Sequence, residues 1–287
     1  MRGRGSRALV LTLLALGAGL MLFPLWWMLV VSLETPTNAG AATVEVGALS
    51  LFPADPQWAN WVDAMRAVGT VEWEGFLDAL ANSILVTFLT VTATVLSCSL
   101  VGYALARTRF RGRAALFGVM LATMMLPPQV TMIPMFLVFR ELGWVDTILP
   151  LVVPALFGNA FFVFMFRQFM AQVPEALVEA ARLDGCGHLG VWWRVMMPLC
   201  RPVVAITAVF TFIFVWNDFL GPLIYLHSED KATLAIALNS FRNQYGGLED
   251  VQYLMALSLI TMIPCILLFL VAQRQFIEGL GKGAVKG

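Results

Sequence analysis

Residues 79–113 read ALANSILVTFLTVTATVLSCSLVGYALARTRFRGR. Between Ala79 and Ala106 there is no Asp, Glu, Lys or Arg, and then Arg107, Arg109, Arg111 and Arg113 follow at once. A bilayer core of ~30 Å takes about 20 apolar residues in a helix. A charge at its centre costs about 2.5–3.5 kcal/mol on insertion scales. A charge-free run of this length, closed by an arginine cluster, predicts a membrane-spanning helix with its stop-transfer anchor.

Five other segments read the same way, about Leu9–Val31, Ala114–Phe139, Thr147–Phe166, Val203–Leu226 and Val251–Ala272. Asp218 is the one charged residue inside any of them. The expected fold class is an all-α membrane protein of six transmembrane helices, organised as a single transmembrane domain over residues 1–287. Composition agrees, with 60% hydrophobic residues, 13% charged residues and a mean hydropathy of +0.82. A soluble domain carries roughly 25% charged residues. The deficit excludes a disordered chain, a nucleic-acid-binding protein and an ordinary cytosolic enzyme.

Arg2, Arg4 and Arg7 precede the first apolar run, as they would in a secretory signal. A signal's apolar region is only about 7–15 residues long, whereas this run continues through Phe23-Pro24-Leu25-Trp26-Trp27 to Val31. It reads as a retained helix with aromatics at an interface. If the N-terminus lies inside, 14 of the 18 basic residues fall in internal segments and 13 of the 18 acids in external loops. That asymmetry places both termini in the cytoplasm of a multi-pass plasma-membrane (inner-membrane) protein. Cys98, Cys186, Cys200 and Cys265 form no CxxC pair, and His188 and His227 fall on opposite sides of the membrane. Neither a disulfide framework nor a metal site is expected.

The internal loop 167–201 carries the most local information. Its stretch 174–202 reads PEALVEAARLDGCGHLGVWWRVMMPLCRP. Pro174 suits a first helical position, Glu175 and Glu179 suit a helix N-terminus, and Asp184-Gly185 supplies a stop. A second short helix, about Leu189–Met197, is expected to end at Pro198. The small pair Ala180-Ala181 beside Glu179 allows close approach and offers a carboxylate to a basic partner. These residues are compatible with an amphipathic connector at the membrane surface or with a protein docking site.

The run Glu179-Ala180-Ala181, then Gly185, then Val195, Met197 and Pro198 resembles the EAA loop of binding-protein-dependent ABC importer permeases. Val195 and Met197 stand where that family places Ile and Leu, and Cys186 where it usually has Ala. Asn82-Ser83, Tyr103 to Arg107, Leu126-Pro127-Pro128-Gln129, Trp216-Asn217-Asp218-Phe219 and the end from Gln273 to Gly287 extend the resemblance to the carbohydrate-uptake group, maltose-permease G-like.

The resemblance implies a MetI-like fold and a permease subunit forming half of the pathway for a sugar or oligosaccharide. Glycerol phosphate or a polyol is the alternative cargo. Implied partners are a second, related permease, a dimer of ATP-binding-cassette ATPases, an extracytoplasmic sugar-binding protein and membrane lipid. No nucleic acid is implied. Glu179, Ala180, Ala181, Asp184 and Gly185 would lie on a coupling helix docked to the ATPase. Phe276, Gly283, Val285 and Lys286 belong to a tail that would contact the ATPases, or else to a frayed end. Asn239, Phe241, Arg242, Gln244 and Tyr245 match a loop that would reach the binding protein. Catalytic residues are not expected, nor a cofactor in this chain, with ATP and magnesium on the partner subunits. Consistently, the sequence has no G-x-x-x-x-G-K-[ST] phosphate loop.

Asn159, Trp216, Asn217 and Asp218 are the polar and aromatic candidates for the translocation pathway, or they bond to neighbouring helices. Pro127-Pro128 and Pro134 are expected to interrupt the third helix, as a hinge or as a fixed kink. An intramembrane enzyme would need a motif such as G-x-S-x-G or H-E-x-x-H, which the sequence lacks. A self-sufficient ion-coupled transporter would need more intramembrane acids than Asp218 alone.

Overall fold

The computed structural model describes residues 4–35, 52–53, 55–68, 72–245 and 251–284, and among these all regular structure is helical. The chain forms two compact units, Met1–Leu77 with Ala237–Pro264, and Asp78–Ile236 with Cys265–Gly287.

In the first unit, α1 (Arg4–Ser32) is apolar on all sides and leaves Leu9, Leu14, Leu20 and Met21 exposed. A helix hydrophobic all round, without a protein cover, is built for lipid. Its last carbonyls need donors. The short α2 (Ala59–Arg66) provides them through buried Asn60, whose Nδ2 donates to Ser32 O and Glu34 O at 3.0 and 2.9 Å.

The second unit is built around α3 (Glu72–Arg107), and its apolar window 75–107 is long enough to cross a membrane. The next span is not one rod. α4 (Arg113–Thr123) and α5 (Pro128–Glu141) meet at 101°. Consecutive prolines force extended backbone at Pro127 (φ −63°, ψ 134°) and Pro128 restarts a helix without needing a donor. Pro134, in contrast, is accommodated inside α5 and does not interrupt it.

The predicted fourth span is also segmented. α6 (Leu149–Val152) runs into a 3-10 turn, Val153–Phe157, and Gly158 at φ 83° breaks the chain before α7 (Ala160–Ala171). Pro150, Pro154 and a residue that must accept positive φ explain the interruption. The fifth span divides at Asn217–Phe219 into α11 (Arg201–Trp216) and α12 (Leu220–Tyr225).

Between them, the 167–201 segment forms α8 (Glu175–Leu183) and a second helix made of α9 (His188–Val191), a π turn at Trp192–Met196 and α10 (Met197–Leu199). Pro174 caps α8 instead of opening it, and Gly185 takes φ 85° at the stop. The second helix passes through Pro198 instead of ending there, because the wider π turn precedes the residue that lacks an N–H. Beyond this segment, α13 (Leu234–Tyr245) and α14 (Val251–Ala284) complete the described chain. Residues 234–245, expected as loop, are helix, and the last helix continues well past residue 272.

Candidate functional site

Two features stand out in the second unit, and the first is the mounting of α8. Val178 and Ala181 lie on the same face, at i and i+3. They are buried in one core with Tyr103 and Leu105 of α3, Phe166 and Met170 of α7, Val191 and Met196 of the second helix, and Val203 of α11. The opposite face is exposed. It carries Glu179, Ala180, Asp184 and Gly185, together with Leu177 and Leu183 at 46% and 88% exposure. Ala181, at 8% exposure, is therefore a packing residue and not part of the presented surface.

Arg107, at the end of α3, fastens this arrangement. Its guanidinium donates to Met170 O at 3.0 and 2.6 Å, to Val173 O, and to Glu175 Oε2 at 2.5 Å. A planar fork with several donors suits this task, because α7 ends with carbonyls that have no helical partner. Above it, Tyr103 Oη lies 3.3 Å from His188 Nδ1 at the start of α9. Gly102 brings α3 and α7 together, since a Cβ there would sit 2.6 Å from Phe166 Cβ. In the sequence Arg107 belongs to a topology signal and to the Tyr103–Arg107 stretch of the family resemblance, with no structural role. Its i, i+4 spacing from Tyr103 is the trace that both act on one helix face.

The second feature is a cavity of about 540 Å³. α3 lines it with buried Ser83, Thr87, Thr90 and Thr94. The rest of the lining includes Leu151 and Pro154, Asn159 at the start of α7, Phe210, Thr211 and Phe214 of α11, then Asp218 and Thr233. Spacings of four, three and four residues put the α3 hydroxyls on one helical face. Ser83 Oγ accepts from Leu234 N at 2.8 Å, and Thr90 Oγ1 donates to Leu151 O at 3.4 Å. Thr211 and Thr233 have buried hydroxyls without a partner among the described residues.

The four predicted pathway residues separate. Asn159 and Asp218 line the cavity, but Asn159 Oδ1 accepts from Phe161 N and Phe162 N and so caps α7. Asp218 Oδ1 accepts from Gly221 N at 3.1 Å. Trp216 is buried, stacked on Phe212 with ring centroids 5.4 Å apart, and Asn217 is exposed and donates to Ile213 O. Neither is among the cavity's lining residues. The threonine face of α3 is readable as a heptad pattern, but hydropathy alone does not flag it.

Among the residues expected near a binding protein, Asn239 is half-buried, Phe241 is buried and Arg242 is exposed. Gln244 and Tyr245 sit on the backbone of α13, with side chains outside the described set. Phe276 and Gly283 lie on α14 with undescribed side chains, while Val285 and Lys286 fall outside the described residues. Among the described residues no group of three or more His, Cys, Asp or Glu is arranged to hold a metal.

Comparison with known proteins bears on both features. A family profile described as "binding-protein-dependent transport system inner membrane component" matches residues 98–281. The arabinooligosaccharides transport system permease protein AraQ of Halalkalibacterium halodurans is 38% identical over 206 residues, 72% of this chain and 73% of that protein. The sn-glycerol-3-phosphate transport system permease protein UgpE of Yersinia enterocolitica is 29% identical over 277 residues, 96% of each. Among solved structures, a bacterial ABC transporter involved in the import of the acidic polysaccharide alginate shares the fold. It has a TM-score of 0.79 and 24% identity over 96% of this chain and 98% of that one.

Proposed function

Because this chain belongs to the family of binding-protein-dependent transport system inner membrane components, we propose that it is the permease subunit that carries a sugar or oligosaccharide in an ABC importer. It pairs with a second, related permease and docks on two ATPase subunits that bind ATP and magnesium. It receives cargo from an extracytoplasmic binding protein. Both termini face the cytoplasm in this reading, which the charge asymmetry of the loops supports.

The observation that carries this reading is the mounting of α8. Its exposed face offers Glu179, Ala180, Asp184 and Gly185, while its inner face shares one core with α3, α7 and α11. A helix packed in this way moves with the spans instead of bending separately, since close-packed interiors transmit displacement. Force applied by an ATPase at Glu179 reaches the spans through Val178, Ala181 and the Arg107 clamp. The tail from Phe276 to Gly287 adds a second contact to the ATPases. Arg242 and Asn239 belong to the surface offered to the binding protein.

Mild-detergent purification of the tagged chain from its own membranes tests the assembly. Recovery of a second permease and a phosphate-loop ATPase, with ATP-dependent uptake of a sugar by the reconstituted complex, is the expected result. Reproducible recovery of the intact chain alone, active without ATP, would overturn it in favour of an ion-coupled transporter.

A further inference from the structure

We propose that the cavity between α3, the α6–α7 segment and α11 is a saccharide subsite within this subunit, shaped for a neutral, hydroxyl-bearing ring and selective against anions. The inference rests on the importer reading above and names the cargo class that this subunit touches.

Thr211 and Thr233 are 6% and 5% exposed, line the cavity, and have hydroxyls with no partner among the described residues. A buried hydroxyl left unpaired is costly, and native structures keep few of them. Each can donate one hydrogen bond and accept two, the complement of a sugar hydroxyl, which does the same. Ser83, Thr87, Thr90 and Thr94 line the same cavity, and Thr233 sits beside Ser83, which accepts from Leu234 N. Together these hydroxyls can grip a ring along its equatorial edge.

The apolar part of the lining suits the rest of a sugar. Phe161, Phe210 and Phe214 line the cavity and are exposed. Their surfaces can cover the C–H face of a pyranose, an amphipathic use of aromatic rings. The volume of about 540 Å³ falls within the range of small-molecule sites.

Charge decides between the two cargo classes. Among the described residues, Asp218 is the one charged residue lining the cavity, and no Lys, Arg or His lines it. Its Oδ1 is held by Gly221 N, and a Cβ at Gly221 would fall 2.4 Å from Oδ2, so the carboxylate is seated against that backbone. A phosphate or uronate entering here would meet a carboxylate with no counter-charge, an arrangement that low-dielectric surroundings penalise. A neutral sugar instead gives Asp218 a hydroxyl donor.

The test uses the complete complex, purified with its partner permease, ATPases and binding protein. Diazirine derivatives of maltotriose, raffinose and arabinotriose are photolysed during ATP turnover, and labelled peptides are mapped by mass spectrometry. The expected result is labelling by at least one probe within residues 83–94 and 210–218. The parent sugar should remove it, and sn-glycerol 3-phosphate at equal concentration should not. The double variant Thr211→Val, Thr233→Val keeps side-chain shape and should lower labelling about tenfold, with co-elution of the partner permease confirming assembly. Thr211→Ser, which keeps the hydroxyl, should retain it. ATP-driven uptake of a probe without labelling at these peptides overturns the subsite and leaves the importer reading intact. Competition by glycerol phosphate overturns the neutral class. Absence of both uptake and labelling for all three probes sinks both readings, and labelling indifferent to the threonine variants removes the role given to their hydroxyls.

Discussion

The Lys231 ammonium donates to both the carboxylate and the backbone carbonyl of Asp146, at 2.8 and 2.9 Å. The same carboxylate accepts from His227 N, Ser228 N and Ser228 Oγ, while Asp146 N donates to Tyr225 O. One residue thus pins the connection after α5 to the one after α12. Asp146 does so at φ 62°, a left-handed conformation that a short polar side chain tolerates. Asn82 and Ser83 fasten the following residues to α3 through Asp230 O, Ala232 O and Leu234 N.

This clip makes a pH prediction. The bond from Lys231, then those from Ser228 and His227, hold the Asp146 carboxyl far below the ordinary carboxylate value. Asp146 raises the Lys231 ammonium above its own. A lowered acid stabilises the fold above its unfolded pKa, ~3.9, and that gain is lost as pH falls toward the folded value. A raised lysine stabilises below ~10.4 and loses the gain as pH climbs through its folded value. Thermal unfolding of the wild type against Asp146→Asn in nanodiscs should show a constant advantage from about pH 5 to 9 that shrinks outside this window. An advantage that varies within this window would refute the assignment to the Asp146–Lys231 pair.

Arg107→Ala should loosen α8 from the spans. The change strips the guanidinium from the carbonyls of Met170, which keeps a bond from Val173 N at 3.3 Å, and Val173, and it leaves Glu175 without its partner. Each buried acceptor left unpaired costs about 1–3 kcal/mol. Sugar-dependent uptake should fall at least tenfold while the ATPase of the complex persists, a loss of coupling and not of assembly. Arg107→Lys should restore it only in part, because one ammonium cannot copy the fork. Parallel loss of uptake and co-elution would mean the arginine acts on folding alone.

Gly102→Ala addresses the approach of α3 to α7. Its new Cβ would meet Phe166 Cβ at 2.6 Å and Arg167 N at 3.1 Å, atoms that cannot swing aside. Small residues let membrane helices approach this closely, and overpacking costs about 1–3 kcal/mol. A clear drop in unfolding temperature is expected, whereas Gly118→Ala, with open space around its Cβ, should be neutral or slightly stabilising. Equal effects of the two would refute the packing assignment.

Glu179→Lys reverses the charge on the exposed face of α8 without touching the core side. Membrane insertion should be normal, with uptake abolished and the ATPase lost on gel filtration. Normal uptake by a fully inserted variant would remove Glu179 from the docking surface.

Much of the architecture is local and therefore legible. Asp184-Gly185 stops α8 because glycine reaches φ 85° without strain, and Pro127-Pro128 breaks the third span because consecutive prolines demand extended backbone. Gly158-Asn159 breaks the fourth span as a positive-φ residue followed by a cap, and the sequence reading missed it because the surrounding hydropathy reads as one continuous span. The family resemblance of Glu179 to Pro198 likewise lies within one continuous stretch.

The candidate site is legible only in part. Ser83, Thr87, Thr90 and Thr94 share a face at helical spacing, but a hydroxyl in a membrane helix can bond its own backbone and so carries little penalty in hydropathy. Nothing near them in sequence announces that Thr211 and Thr233 line the same cavity. Arg107 reads as one of four stop-transfer arginines until α7 ends beside it.

The sequence by itself determined that this chain is a helical membrane protein, that its helices break at Pro127-Pro128 and Asp184-Gly185, and which segment carries the family resemblance. These follow from solvation and backbone energies summed over neighbouring residues. Only the tertiary structure decided that Ala181 turns inward, that Arg107 closes the end of α7, that Asp146 receives Lys231, and that two threonines complete a hydroxyl-lined cavity. Those partners are separated by tens of residues or more. Their pairing depends on which helix faces meet, a property that no local energy contains.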